Sequence, residues 1–135
     1  RLMRQKMEKA GIGNVEYLQG DICRLPFEDG LLDVVFANMA LHHSEDPEAT
    51  VREIFRCLKE GGRAVITDLD AHDHQWFRQE MFDVWMGFER PQLRSWLEGA
   101  GFRDVAVDCV GSSCSATSEC GSAASVSIFI AVATK

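Results

Sequence analysis

The sequence predicts an α/β fold in which a mainly parallel sheet is joined by crossover helices. First, a buried strand at 33–38 is followed by a helix and then by a second buried strand at 63–68. Second, the strand at 33–38 is apolar without clean alternation, as a strand covered on both faces should be. Third, Asp21 and Asn38 each end a strand candidate, which is how an open α/β sheet builds a nucleotide-sized crevice.

Length and composition limit the function classes. A chain of 135 residues is one domain at most, and its net charge of -7 argues against a nucleic-acid surface. No apolar run approaches the ~20 residues of a membrane span, and no signal peptide opens the chain. Five cysteines, an odd number, suggest a reduced compartment. We therefore expect a cytoplasmic protein that binds a small molecule, with no membrane or nucleic-acid partner and with a homodimer as an open alternative.

The first third of the chain is predicted to contain a basic helix at 2–10 and a short strand at 15–19 that ends at Gly20. The next helix is the best defined, because Asp46 can cap it and Pro47 suits its first turn. Its apolar face recurs at helical spacing, and Gly61-Gly62 is expected to end it.

The second half is predicted to hold two more helices and a strand pair. Apolar residues at helical spacing run from Phe77 to Phe88, and a second helix covers 91–100 before Gly101. Strands at 104–110 and 126–133 are expected to pair antiparallel at the sheet edge. The small residues at 111–125 between them predict a flexible loop.

Four motifs in order resemble those of the class I S-adenosylmethionine-dependent methyltransferases. The closest similarity is to the ubiquinone/menaquinone and arsenite methyltransferase-like branch, and Trp76 to Phe88 resembles methyltransferase domains fused to metal-sensing winged-helix repressors. The motifs are Gly20-Asp21-Ile22-x-x-Leu25-Pro26-Phe27, Asp33-Val34-Val35-Phe36-Ala37-Asn38-Met39-Ala40-Leu41-His42-His43, Arg56-Cys57-Leu58-Lys59-Glu60-Gly61-Gly62-Arg63 and Gly101-Phe102.

The resemblance implies a Rossmann-like sheet with helices on both faces and a C-terminal antiparallel strand pair. The family's strand order is 3-2-1-4-5-7-6, and this chain matches it only from the third strand onward. The first two strands, with the glycine loop and the ribose-binding acidic residue, are absent. Since the chain also opens on Arg1, we expect residues 1–135 to be a partial methyltransferase domain.

The resemblance also implies S-adenosylmethionine as the cofactor and places four residues around it. Asp21 would accept a hydrogen bond from the adenine amine, and the Ile22 backbone N–H would donate to the ring. Asn38 and Met39 would hold the amino acid end. The alternatives are that Asp21 only caps its own loop backbone, and that Asn38 is simply the polar residue that ends its strand.

His42 and His43 are the candidates for a catalytic role, since an imidazole titrates near neutrality and can accept a proton. One of two adjacent residues usually points into the protein, so both cannot be assumed to act. No metal site is assigned. The acidic turn at 68–74 is interpreted as a helix cap at Asp73 with solvated neighbours, and Cys109, Cys114 and Cys120 as loop cysteines without a role.

The predicted function is methyl transfer to a small-molecule acceptor. The alternative is a non-catalytic domain that senses S-adenosylmethionine or S-adenosylhomocysteine for an attached winged-helix repressor.

Overall fold

A computed structural model describes residues 2–135, with the backbone alone for residues 2–4. Helices and strands alternate along the middle of the chain, and a long hairpin closes it. The helices are α1 (Leu2–Lys9), α2 (Pro47–Cys57), α3 (Trp76–Glu80) and α4 (Arg90–Ala100), and a 3-10 turn spans Leu41–His43. The strands are β1 (Leu32–Asn38), β2 (Leu58–Leu69), β3 (Arg103–Thr117) and β4 (Ala123–Thr134).

The four strands form one sheet in the order β1-β2-β4-β3. β1 and β2 are parallel, whereas β2 with β4 and β3 with β4 are antiparallel. This is the order expected of the family's fourth, fifth, seventh and sixth strands. The α/β fold class and the C-terminal antiparallel pair are therefore confirmed.

The main core lies between the sheet and helices α2 and α4. Asp46 caps α2 by accepting a 2.9 Å hydrogen bond from the Ala49 backbone N–H, and Pro47 occupies the first turn, as predicted. α4 ends at Gly101, whose φ of 108° suits a residue without a side chain. The buried core residues of these elements include Val51, Ile54, Ala64, Ile66, Leu93, Leu97, Phe129 and Ala131.

The opposite face of β1 is more open. Phe36 is 75% exposed and Val34 is 44% exposed, and β1 pairs with β2 along only one of its edges. No helix within residues 2–135 is both long enough and apolar enough to cross a membrane.

The strand predicted at 15–19 is wrong, because residues 12–20 adopt no regular secondary structure. Val15, Tyr17 and Leu18 are each more than 40% exposed. A strand forms when a neighbour supplies ladder hydrogen bonds, and no segment of the described chain pairs with 15–19.

The predicted end of the second helix is also wrong. α2 ends at Cys57, so the double glycine lies inside β2 rather than after the helix. The register between β1 and β2 shifts between Leu32 and Val34 there, and Gly61 donates to the Lys135 carbonyl at 2.8 Å. Gly62 is required by space, since a Cβ would lie 2.8 Å from the Lys59 carbonyl oxygen.

The helix expected from Phe77 to Phe88 stops at Glu80, and irregular backbone follows. Phe82 adopts a φ of 59°, and the backbone N–H groups of Val84 and Trp85 both donate to the His42 carbonyl, at 3.0 and 2.9 Å. These two N–H groups therefore bind the 3-10 turn and are not available for the hydrogen bonds that would continue the helix.

The segment predicted as a flexible loop, 111–125, is mostly a β-hairpin. β3 continues to Thr117 and β4 begins at Ala123, with Ser113 opposite Ser127 in the ladder. Small hydroxyl side chains suit this pairing: the Ser125 hydroxyl donates to the Ser113 hydroxyl at 2.9 Å. The hairpin carries a second core cluster in which Ala124 and Val126 pack with Phe77 of α3.

A pair of glycine substitutions tests this backbone. Gly87→Ala is expected to lower the free energy of unfolding by at least ~2 kcal/mol, because a left-handed L-residue costs ~1–2 kcal/mol and the new Cβ also clashes. The glycine has a φ of 70°, and a Cβ there would overlap the Asp70 carbonyl oxygen. Gly99→Ala is the control, since its Cβ meets open space inside α4 and should stabilise by ~0.5–1 kcal/mol. Urea denaturation measures the free energy of unfolding of both variants. Equal changes in the two would contradict the left-handed, crowded backbone described at Gly87.

Candidate functional site

Asp68, near the end of β2, is the centre of a buried polar network. Its inward position follows from the strand alternation, since Ala64, Ile66 and Asp68 share the buried face. The carboxylate is fully buried and accepts four hydrogen bonds. The donors are the backbone N–H groups of Leu41, His42 and Leu69, at 2.8–3.2 Å, and the His42 ring, at 2.6 Å. The expectation that Asp68 is solvated is therefore wrong.

His42 is held between two carboxylates. Its Nδ1 lies 2.6 Å from Asp68 Oδ1, and its Nε2 lies 3.5 Å from Asp83 Oδ1. Because a carboxylate can only accept, the Nδ1 atom carries the proton in this bond. Burial, the largest single influence, lowers the pKa of His42, but the hydrogen bond and charge of Asp68 and the charge of Asp83 together raise it above the ordinary value of 6.5.

His43 is far more exposed than His42, so the two adjacent histidines differ in burial although their rings are neighbours. Its side chain is 49% exposed, and its Nδ1 lies 3.3 Å from the Phe82 carbonyl oxygen and 4.0 Å from Asp83 Oδ1. The Asp83 side chain is only 3% exposed, and this desolvation raises its pKa despite the nearby imidazoles.

Beside His43 lies an open cavity of about 490 Å³. It brings together two of the four predicted cofactor residues with the exposed histidine. Asp21 Oδ1 accepts a 2.8 Å hydrogen bond from the Cys23 N–H, so the carboxylate does cap its own loop, while its other oxygen accepts none from the rest of residues 5–135. The lining residues are Asp21, Ile22, Cys23, His43, Ser44, Glu45, Asp46 and Ala49.

Asn38 and Met39 end β1, as predicted, but they do not line this cavity. Asn38 is exposed, and its Oδ1 accepts from the Thr67 hydroxyl at 2.5 Å. Met39 has a φ of 51°, and its N–H donates to the Thr67 carbonyl. The structure thus joins Asp21, Ile22 and His43 around one space and places the other two at the β1 terminus.

Asp70, in the turn after β2, forms an ion pair with the start of α4. Asp70 binds Arg90 through two hydrogen bonds of 2.7 and 2.8 Å, and the guanidinium lowers the pKa of that carboxyl. The helix cap expected at Asp73 is wrong, because the residue before α3 is Gln75 and no side chain caps the helix. Cys109 and Cys114 lie in β3 and Cys120 in the hairpin turn; all three are free thiols.

Sequence reasoning missed Asp68 and Asp83 as members of the site. The alternation of β2 is a signal that points to the first of them, since an acidic residue occupies an inward position. No comparable signal marks Asp83, which reaches the histidines only because the backbone leaves the helical path after Glu80.

Known proteins resemble this chain in sequence. Residues 1–66 match the family described as "Methyltransferase domain". The 2-methyl-6-phytyl-1,4-hydroquinone methyltransferase 1, chloroplastic, of Oryza sativa subsp. japonica is 29% identical over 105 residues, which cover 77% of this chain and 32% of that protein. The demethylmenaquinone methyltransferase of Lactococcus lactis subsp. lactis is 41% identical over 64 residues, covering 47% of this chain and 25% of that protein. The chain thus spans about a quarter to a third of these relatives.

Solved structures share the fold. The YcgJ protein of Bacillus subtilis superposes with a TM-score of 0.77 at 16% identity, over 98% of this chain and 76% of that one. Phosphoethanolamine N-methyltransferase 2 of Haemonchus contortus, in complex with S-adenosyl-L-methionine, gives a TM-score of 0.74 at 16% identity, over 97% of this chain and 39% of that one. The first half of the chain thus resembles methyltransferases in sequence, and nearly the whole chain shares the Rossmann-like fold of solved methyltransferase structures.

Proposed function

We propose that the protein containing this chain transfers a methyl group from S-adenosylmethionine to a small aromatic acceptor of the hydroquinone class. The relatives described above are named for a phytyl hydroquinone and for demethylmenaquinone, which supports an acceptor of this class. They lend no support to the alternative of a sensing domain attached to a repressor. The observation that carries the proposal is the cavity that Asp21, Ile22 and His43 share.

The residues around this cavity fit one edge of the cofactor. Asp21 offers a carboxylate oxygen that is not used by the rest of residues 5–135, and the Ile22 N–H donates to no acceptor among them. An acceptor and a donor on adjacent residues suit the amine and ring nitrogen of an adenine. When bound, S-adenosylmethionine supplies an activated methyl group on a sulfonium. Methyl transfer then depends mainly on alignment of the acceptor atom.

His43 is the better placed of the two histidines to accept a proton. A carbonyl oxygen can only accept, so the contact with Phe82 places a proton on Nδ1 and leaves the lone pair of Nε2 available. Removing the hydroxyl proton of a hydroquinone enriches its ring carbons in electrons. A ring carbon of such an acceptor would take the methyl group as its bond to the sulfonium breaks, with S-adenosylhomocysteine as the leaving group, and the ring hydrogen would leave to solvent as a proton.

His42 is better suited to positioning than to proton acceptance. Its Nδ1 is committed to Asp68, and the two carboxylates favour its charged form. Its carbonyl also accepts from Val84 and Trp85. We therefore assign to His42 the task of fixing the turn that presents His43.

The cofactor assignment predicts a loss of affinity in Asp21→Ala. A charge-assisted hydrogen bond contributes ~1–3 kcal/mol, so the dissociation constant for S-adenosylhomocysteine should rise by about fivefold to 150-fold. Isothermal titration calorimetry on the full-length protein that contains this chain measures it. Glu28→Ala, which removes another exposed carboxylate of the same loop region, is the control and should bind like the parent. Equal affinities in both variants would remove Asp21 from the site.

The catalytic assignment predicts that His43→Gln lowers kcat by ~10²–10⁴-fold, the usual contribution of a general base, while S-adenosylhomocysteine binding is retained. The assay is methyl transfer from labelled S-adenosylmethionine to a soluble hydroquinone. His74→Gln, a histidine outside the cavity lining, is the control and should keep the parent rate. A kcat within about twofold of the parent in both variants would exclude His43 as the base.

The positioning role of His42 predicts a pH-dependent stability. The pKa of His42 is raised in the folded state, so protonation of this ring stabilises the fold. Its contribution to the free energy of unfolding is fully present below the ordinary pKa of 6.5 and is lost as pH rises through the folded pKa. In Asp68→Asn the charge that raises the His42 pKa is lost. Burial, which lowers that pKa, then has the larger effect, so the His42 pKa should fall below its value in the parent. NMR titration of the imidazole measures the pKa, and denaturation at several pH values measures the stability. An unchanged His42 pKa in Asp68→Asn would contradict the pairing.

A further inference from the structure

A buried carboxylate in this protein faces two imidazoles. Asp83 Oδ1 lies 3.5 Å from His42 Nε2 and 4.0 Å from His43 Nδ1, and one ligand atom from each of the three residues lies within 4.8 Å of the others. The Asp83 side chain is only 3% exposed, and both of these imidazoles present a ring nitrogen to the same carboxylate oxygen. A buried carboxylate is stabilised by positive charge, so a cation held between the three groups would meet that need.

The spacing suits a first-row transition metal. Zinc binds imidazole nitrogen and carboxylate oxygen at ~2.0–2.2 Å, and a tetrahedron with such bonds separates its ligand atoms by ~3.3–3.6 Å. The 3.5 Å separation of His42 and Asp83 falls within this range, and the 4.0 Å separation of His43 and Asp83 needs only a small side-chain rotation to reach it. A donor set of two imidazoles and one carboxylate also favours zinc over calcium or magnesium, which prefer oxygen ligands.

His42 has, in Asp68, the kind of hydrogen-bond partner that metal-binding histidines normally have. Its Nδ1–H donates to the Asp68 carboxylate, which fixes the tautomer and turns Nε2 toward Asp83. Histidine ligands of zinc usually donate their other ring N–H to a carboxylate or carbonyl in this way. Asp68 is itself held by three backbone N–H groups, so the ring orientation is set before any ion arrives.

We propose that His42 Nε2, His43 Nδ1 and Asp83 Oδ1 bind a divalent transition-metal ion such as Zn²⁺. The site stands on geometry and does not depend on the methyl-transfer proposal. Coordination through Nδ1 releases the contact of His43 with Phe82 and moves the ring proton to Nε2. The metal-bound and proton-accepting forms of His43 therefore exclude each other, and bound metal should inhibit a reaction that uses this base.

The test is a Zn²⁺ titration of the metal-free protein by calorimetry, with Co²⁺ as a spectroscopic probe. We expect one high-affinity site and the visible bands of tetrahedral cobalt. His43→Gln and Asp83→Asn should each weaken binding by at least about tenfold, and Asp68→Asn, which removes the outer partner, by ~10–100-fold. His74→Gln is the matched control and should bind like the parent. Circular dichroism checks that each variant is folded.

Two outcomes would overturn the site. Absence of saturable binding, or equal affinity in the parent, His43→Gln and Asp83→Asn, would mean that Asp83 serves only as an ion-pair partner of His42. Strong near-ultraviolet cobalt–thiolate bands would place the ion on the free cysteines instead. Because these readouts need neither cofactor nor acceptor, a failure here leaves the methyl-transfer proposal untouched, and the reverse also holds.

Discussion

The buried carboxylate of Asp68 is the constraint on which the rest of the site depends. A fully buried charge persists only when it is paired and hydrogen-bonded, and here one imidazole and three backbone N–H groups supply that need. Removing one partner of such a pair typically costs ~3–5 kcal/mol, because the other is left uncompensated. The carboxylate thereby fixes the 3-10 turn after β1 against the end of β2.

The 3-10 turn also fixes the segment that follows α3. The His42 carbonyl accepts from two consecutive N–H groups beyond α3, which brings Asp83 beside the imidazoles. Two neighbouring histidines therefore sit in opposite environments: one ring lies inside a network of carboxylates, and the other lies at the wall of an open cavity. A single strand terminus thus organises residues from three parts of the sequence.

Much of the fold could be predicted from the sequence because local patterns and short-range packing decide it. The cap and first turn of α2 and the glycine end of α4 follow from signals a few residues long, whereas the strand order was implied by the resemblance to a methyltransferase family. Predictions failed where a distant partner decides. The segment at 15–19 needs a neighbouring strand, the backbone after Glu80 is held by His42, and the serine-rich stretch becomes a strand because β4 lies opposite.

The site was predictable to a lesser degree. Asp21 and Ile22 were identified by a motif and do share a cavity with His43, although their role as cofactor ligands stays a prediction. The inward position of Asp68 follows from the alternation of β2. The place of Asp83 depends on a left-handed Phe82, a conformation that a bulky side chain adopts rarely and that no local pattern announces.

The open side of β1 has a consequence for what can pair with this sheet. Within the described residues the outer edge of β1 has no strand partner, and Phe36 beside it is 75% exposed. Asp33, ion-paired with Lys59 at 3.0 Å, is the one charged residue of β1. This margin is therefore suited to one more extended segment that places an apolar side chain against Phe36.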